Sequence, residues 1–378
     1  MSFQLELSDL PDLVRGAALL GTGGGGDPTI GRTLVAHALR RRGDDGEPAT
    51  ITVLDPDELT EDDFVIPTAM MGAPSVLVER LPSGDEPAAA LAALEARLGR
   101  RATATMPIEC GGINSTIPLL VAAQRGLPVV DADGMGRAFP ELQMETFAVY
   151  GVNGSPLAMA DERGSTAVVD AGADNRRMEW MARGLAVRLG GVAYIAEYAM
   201  DGPTVQRTAI PRTLSLALRL GATLREARET HREPTAALRE ALADTLYRHG
   251  EVLFTGKVVD VERHTTEGFT RGAARVQAFD SDAVCRITFQ NEFLVATVDD
   301  RVVALVPDLI TVLHLETGEP ITSETLRYGH RVTVFAIATP ELMRTPEALA
   351  TFGPAAFGLD EEFVPVEQIE KPQVTVLS

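Results

Sequence analysis

Lysine is nearly missing from this chain: among 378 residues, Lys257 and Lys371 alone carry an ammonium side chain. A phosphate-binding loop of the Gly-Lys-Ser/Thr type is thereby excluded, since Gly256-Lys257 runs on into Val258-Val259. Cysteine is equally scarce. Cys110 and Cys285 are too few for a disulfide framework and lack metal-site spacing. The six histidines, His37, His231, His249, His264, His314 and His330, form no His-x-His or His-Glu-x-x-His pair, so a local zinc signature is absent. A Gly-x-Ser-x-Gly nucleophile elbow is missing as well. No apolar run approaches the eighteen or so residues of a membrane span, and Met1 to Asp9 has neither a basic nor an apolar leader region. A cytoplasmic protein with no membrane partner is therefore expected. Aromatic residues make up only 5%, no basic block is present, and the formal charge is −20, so nucleic acid is not an expected partner.

The length exceeds the usual size of a single core, and two domains are expected. Ile51 to Leu54, Phe64 to Met70, Thr103 to Ile108 and Val129 to Val130 read as buried strands. Helical stretches such as Glu86 to Leu98 and Ser115 to Arg125 separate them. This alternation predicts an α/β N-terminal domain over residues 1–170. A helical segment packed on it is expected over 171–249, carried by Asn175 to Leu189 and by Pro211 to His249, with interruptions near Gly221 and Pro234. From Gly250 the pattern becomes short runs rich in Val, Thr, Ile and Phe: Val252 to Val261, Ala274 to Phe279, Val284 to Phe289, Phe293 to Val298, Val302 to Val306 and Val332 to Ala336. A smaller, mostly β C-terminal domain over 250–340 follows from them. A return segment, 341–378 with the Gly/Pro-rich Thr351 to Gly358, is expected to close on the first domain.

Within this frame the run from Leu19 to Pro28 stands out. Ser8 is a plausible N-cap for a helix from Asp9 to Leu20. Asp27 and Pro28 read as the N-cap and first turn of a second helix reaching about Arg41. Between them Thr22, Gly23, Gly24, Gly25 and Gly26 give up side chains, which suits close backbone approach to a ligand. Because the loop follows a helix and not a strand, it is no dinucleotide fingerprint; nor does any flavin motif stand elsewhere. A helix start beside bare backbone favours an anion, worth about 0.3–1 kcal/mol at an exposed site. A plain glycine-rich connection is the other reading.

Pro107 to Asn114 forms a second block at a strand end, where Gly111 and Gly112 expose backbone and Glu109 and Asn114 offer hydrogen-bonding groups. Soon afterwards Val129-Val130-Asp131-Ala132-Asp133-Gly134 places acids at the carboxyl edge of a sheet, where open α/β folds collect ligands. Asp131 and Asp133 lie two apart in extended chain, so they share a side, and neighbouring carboxylates raise one pKa toward the range of a general acid or base. Arg137 is positioned either to neutralise them or to orient an anionic substituent. Turn caps with an internal ion pair would explain the same residues. The β half contributes Lys257, Asn291, Glu292 and Arg327, polar residues after strand-like runs, and a ligand site between the two domains is expected. Divalent metal on the acidic blocks stays open, with no ligand set assigned.

In Gly21 to Pro28, Glu109 to Asn114, Asp131 to Glu141, Gly256-Lys257 with Gly268-Phe269, Asn291-Glu292, Pro307 to Ile310 and Leu326 to Gly329, the chain resembles a known family. It is the one catalogued as domain of unknown function 917 and named for S-methyl thiohydantoin desulfurase, found beside hydantoinase and oxoprolinase genes. The resemblance spans nearly the whole chain. It implies an N-terminal α/β domain, a C-terminal β domain and breakdown of thiohydantoin- or hydantoin-like rings. Such a hydrolase needs an activated water, charge-stabilising donors and a proton for the departing sulfur. Asp131, Asp133 or Glu109 would serve as base, the glycine-loop amides as stabilisers and Arg137 as orienter. Cys110 is either a nucleophile with a lowered pKa or a small buried hydrophobe. A non-catalytic subunit of a hydantoinase or oxoprolinase system and a ring isomerase are the alternative readings. The expected partners are a small anionic or hydantoin-like molecule and a second copy of the chain.

Overall fold

The computed structural model describes residues 1–73, 76, 82–266 and 269–370. Gly268 and residues 371–378 of the return segment fall outside that set. The first half is built on strands β1 (Phe3–Leu5), β2 (Ile51–Leu54), β3 (Phe64–Gly72), β4 (Ala104–Met106), β5 (Val129–Val130), β6 (Ala132–Asp133), β7 (Leu157–Ala160), β8 (Thr166–Val169), β9 (Val192–Ala196), β10 (Met200–Asp201) and β11 (Ile210–Pro211). Their main sheet runs β1-β2-β5-β4-β3-β9-β7-β8. Its centre, β2-β5-β4-β3, is parallel, and β9, β7 and β8 add antiparallel strands beside β3. Strand β9 lies in the stretch between the two predicted helical runs. Its sequence, Val-Ala-Tyr-Ile-Ala after two glycines, is buried throughout, as a strand covered on both faces requires.

The helices are α1 (Leu10–Leu20), α2 (Pro28–Asp44), α3 (Glu86–Leu98), α4 (Ile117–Arg125), α5 (Thr146–Val149), α6 (Asn175–Arg188), α7 (Gly202–Thr208), α8 (Thr213–Glu229), α9 (Pro234–Leu242) and α10 (Pro346–Phe352). Two details depart from the sequence reading. Helix α1 starts one residue later than expected, with Asp9 and not Ser8 in front of it. Helix α8 runs unbroken through Gly221, because that glycine is a contact and not a break. A Cβ there would lie 1.8 Å from Asp12 O on α1, and one on Gly16 would lie 1.8 Å from Ala217 O on α8. The two helices cross backbone against backbone at these glycines.

The second half is an antiparallel sheet of β12 (Gly250–Thr266), β13 (Phe269–Gln277), β14 (Val284–Gln290), β15 (Glu292–Val298), β16 (Arg301–Leu305), β17 (Leu309–His314), β18 (Pro320–Ile321) and β19 (Arg331–Ile337). Its order is β16-β15-β14-β13-β12-β19-β17-β18, with β15 and β16 curling round beside β17. Strands β17 and β19 show how the halves join. Ile310, Val312, Val334 and Ala336 face the interior of the curled sheet. The alternate residues Leu309, Leu313, Phe335 and Ile337 enter the core formed by α1, α8 and α9. The period-2 alternation of a strand thus feeds two cores at once. The return segment packs Phe352 on Phe139 of the first half, their rings 5.0 Å apart.

Candidate functional site

The glycine loop lies between α1 and α2. Asp27 caps α2 by accepting the Thr29 amide at 2.8 Å, so its side chain is committed there. Thr22, Gly23, Gly25 and Gly26 have φ between 47° and 88°, the left-handed region that glycine occupies freely. Protein fills two sides of this bare backbone. A Cβ on Gly24 would lie 2.1 Å from Glu292 Oε1, and one on Gly112 would lie 2.1 Å from Gly25 O. Backbone hydrogen bonds stitch the loop to both halves: Ile113 N donates to Gly25 O at 2.8 Å, Phe293 N to Thr22 O at 2.7 Å and Ser323 N to Gly23 O at 2.7 Å. The loop is a seam as well as a wall.

Its remaining face, Gly23 to Gly26, borders a cleft of about 60 Å³. Glu109, Asn114, Met135, Phe139 and Arg183 line it from the first half and α6, and Thr270, Asn291, Glu292, Ser323 and Glu324 from the curled sheet. Two carboxyl groups line the cleft, one from each side of this boundary. Glu109, 3% exposed, receives Asn114 Nδ2 at 2.7 Å, while Asn114 also bonds both backbone groups of Met70 and so ties Glu109 to the end of β3. Glu292, also 3% exposed, opens β15 directly after Asn291, whose left-handed backbone (φ 59°) makes the turn. Each keeps one oxygen, Oε2, without a protein partner. Burial first, and then the charge of Glu292, push the Glu109 carboxyl well above the usual range. Burial lifts Glu292 to about 7, with Arg137, the Gly25 amide and Arg183 restraining the rise.

The other anticipated residues lie elsewhere. Asp131 lies against the first turn of α8, whose N-cap residue is Arg212: it accepts the Ser215 amide at 3.0 Å and the Ser215 hydroxyl, with the Leu214 amide beside it. Asp133 is fully buried and accepts from Cys110 N at 2.6 Å and Gly136 N at 2.8 Å, bracing the loop that carries Glu109; burial lifts it to about 7. Neither lines the cleft. Arg137 is wholly buried and donates to Asp308 O (3.1 Å), Phe293 O (3.0 Å) and Thr22 Oγ1 (2.7 Å), a pin between the halves and not a free orienter of substrate. Gly111 packs against Gly21. Cys110 donates to Thr213 Oγ1 at 3.2 Å, and burial followed by the charge of Asp133 raises its thiol pKa, the opposite of an activated nucleophile. Lys257 lies over the Tyr328 ring and Arg327 beside His330, both exposed and outside the cleft.

Arg183 escaped the sequence reading. It is the one basic side chain among the described cleft-lining residues, held by Glu179 (2.6 Å), by Pro140 O (2.8 Å) and over the Phe269 ring. Nothing in its helical neighbourhood sets it apart from the arginines beside it. Behind the cleft lie two further acids. Glu145 and Glu197 are fully buried, and none of their carboxyl oxygens has a protein partner. Burial holds both well above the usual range, helped at Glu145 by the charges of Glu197, Asp133 and Glu109 and at Glu197 by that of Glu179. Among the described residues no three His, Cys, Asp or Glu side chains are grouped to hold a metal ion.

Family models give this geometry its context. The S-Me-THD-like N-terminal domain matches residues 8–171 and the S-Me-THD-like C-terminal domain matches 173–366. The chain belongs to the S-Me-THD-like family. The resemblance read from the motifs is thus correct, as is the pairing of an α/β domain with a mostly antiparallel one. The boundary of the S-Me-THD-like models falls before α6, so β9 to β11, although in the second model, complete the sheets of the first half. A solved structure from Chromobacterium violaceum is similar over 96% of this chain and 100% of its own, at 26% identity and a TM-score of 0.80. No curated protein matches. No helix among the described residues is long and apolar enough to cross a membrane.

Proposed function

We propose that this S-Me-THD-like chain hydrolyses a small thiohydantoin- or hydantoin-type ring in the cleft between its halves, as a desulfurase where the ring carries sulfur. The observation that supports this is the pair Glu109 and Glu292, which line one cleft, each buried, each with one free oxygen, and each brought by a different domain. Two close carboxyls in different surroundings divide into an acid and a base. Glu292, near Arg137 and Arg183, is the ionised partner. Glu109, desolvated and raised further by that charge, keeps its proton.

In this reading Glu292 takes a proton from water as the water oxygen bonds to the sulfur-bearing ring carbon, and the π pair of the C=N bond moves to the ring nitrogen. That pair returns as the carbon–sulfur bond breaks and Glu109 delivers its proton to the departing sulfur; the proton of the added hydroxyl passes to the ring nitrogen as the carbonyl forms, and the proton on Glu292 returns to Glu109. From an S-methyl thiohydantoin the products are the hydantoin and methanethiol, which balances one water consumed. The Gly23 to Gly26 backbone supplies a flat wall for the ring, and Arg183 the positive charge for an anionic substituent.

The test is methanethiol release from S-methyl thiohydantoin by the purified chain. Glu109→Gln and Glu292→Gln should each lower turnover by about 10²–10⁴. Asp131→Asn, which touches only the first turn of α8, should leave it within a few-fold. Wild-type protein that binds the ring without turning it over would indicate an accessory subunit, and full activity in both glutamine variants would place the chemistry elsewhere.

A further inference from the structure

A second cavity opens away from the interdomain cleft and shares none of its lining residues. It is a groove of about 580 Å³ between one face of α8 and the loop that follows α9. That volume is in the range of small-molecule sites. Arg212, Ser215, Leu216 and Arg219, spaced three, one and three apart, present the helix face; residues 243–248 form the opposite wall.

Three arginines converge on the groove in a chain of formal charge −20. Arg212 is paired with Asp55 and Asp57, and Arg219 with Asp244 at 2.6 Å, so these two charges are already met by acids and Arg248 is the one left for a ligand. Asp244 is the acid that shares the lining with them. Arg248 is exposed and has no ion-pair partner among the described residues. Both Arg212 (φ 64°) and Arg248 (φ 47°) hold left-handed backbone, which a long side chain adopts only when its surroundings enforce it. The half-exposed Leu246 supplies the apolar surface of the groove; Leu216 is buried in the core, 5% exposed.

We propose that this groove is a second binding site, for a small organic carboxylate with a flat apolar body. The carboxylate meets Arg248, with Arg212 and Arg219 flanking it, and the body rests on Leu246. Charge and apolar surface together select such a molecule over inorganic anions, which gain nothing from that leucine. The site stands independently of the hydrolase reading, because it uses different residues.

Calorimetry with benzoate on the full-length protein tests it, with inorganic phosphate as the second probe. Saturable benzoate binding is expected, weakened at least tenfold by Arg248→Asn and partly restored by Arg248→Lys. Asparagine tolerates the left-handed backbone, so the fold is preserved, which an unchanged Tm verifies. Phosphate should compete only weakly. The proposal is overturned by absence of saturable benzoate binding, by phosphate binding as tightly as benzoate, or by binding that survives Arg248→Asn and vanishes in Arg183→Ala.

Discussion

At the scale of single residues, the glutamates that reach the cleft differ from the aspartates that seemed best placed in the sequence. Asp131 and Asp133 sit at a strand end, as read, but their oxygens are consumed by backbone amides: one holds the first turn of a helix, the other braces the Cys110 turn. Spacing along a strand reveals which side a carboxyl takes, not whether an amide already waits there. Glu109 and Glu292 were legible as candidates, yet their place in one cleft depends on a contact between distant parts of the chain. Glu145 and Glu197 could not be foreseen, since only burial makes them unusual. These two carry a clear consequence for stability. Their folded pKa lies above the ordinary 4.5, so the native state holds more protons than the unfolded one once the pH passes that value. The contribution of these two groups to stability is therefore greatest below about 4.5 and declines as pH rises toward their folded pKa values. Glu197→Gln should flatten this decline, visible as a smaller drop in Tm between pH 5 and pH 8; parallel curves for wild type and variant would contradict it.

At the scale of elements, local signals served well where burial and periodicity agreed. Helix α3 has the ends that its pattern predicts, and β2 and β5 match theirs. Strands β9 and β17 were missed; like β3, which was read, they are buried along their length, so only length and flanking residues mark such a run as a strand. Gly221 misled for a related reason: a glycine inside a helix reads as a break until the helix crossing it is known. Gly221→Ala should push α1 and α8 apart and cost about 1–3 kcal/mol, measured by denaturant unfolding. Gly184→Ala on α6, where an added Cβ meets nothing within 4 Å, should instead stabilise by up to about 1 kcal/mol. Equal effects at the two sites would refute the close-crossing account.

At the scale of the whole molecule, the two halves are bound together more tightly than two family models side by side suggest. Arg137 finds its acceptors on Asp308 and Phe293, Phe139 finds Phe352, and the core around α1 and α8 takes Leu309, Leu313, Phe335 and Ile337 from the sheet. Residues 1–248 expressed alone would leave the Arg137 guanidinium without its Asp308 and Phe293 acceptors and a large apolar face bare. That fragment should lack a cooperative thermal transition and any ring turnover. A sharp transition with activity retained would show the first half to be self-sufficient.

The seam at the glycine loop also has a meaning in time. Gly25 leaves the ribosome roughly 270 residues before Glu292, whose carboxyl fills the space above Gly24. At 5–20 residues per second, that is an interval of roughly 13 to 50 seconds. Throughout it the nascent loop has only its Gly111–Gly112 side to lean on, and Glu109 has no partner across the gap. The cleft thus comes into being late, when the last strands of the chain arrive to close it.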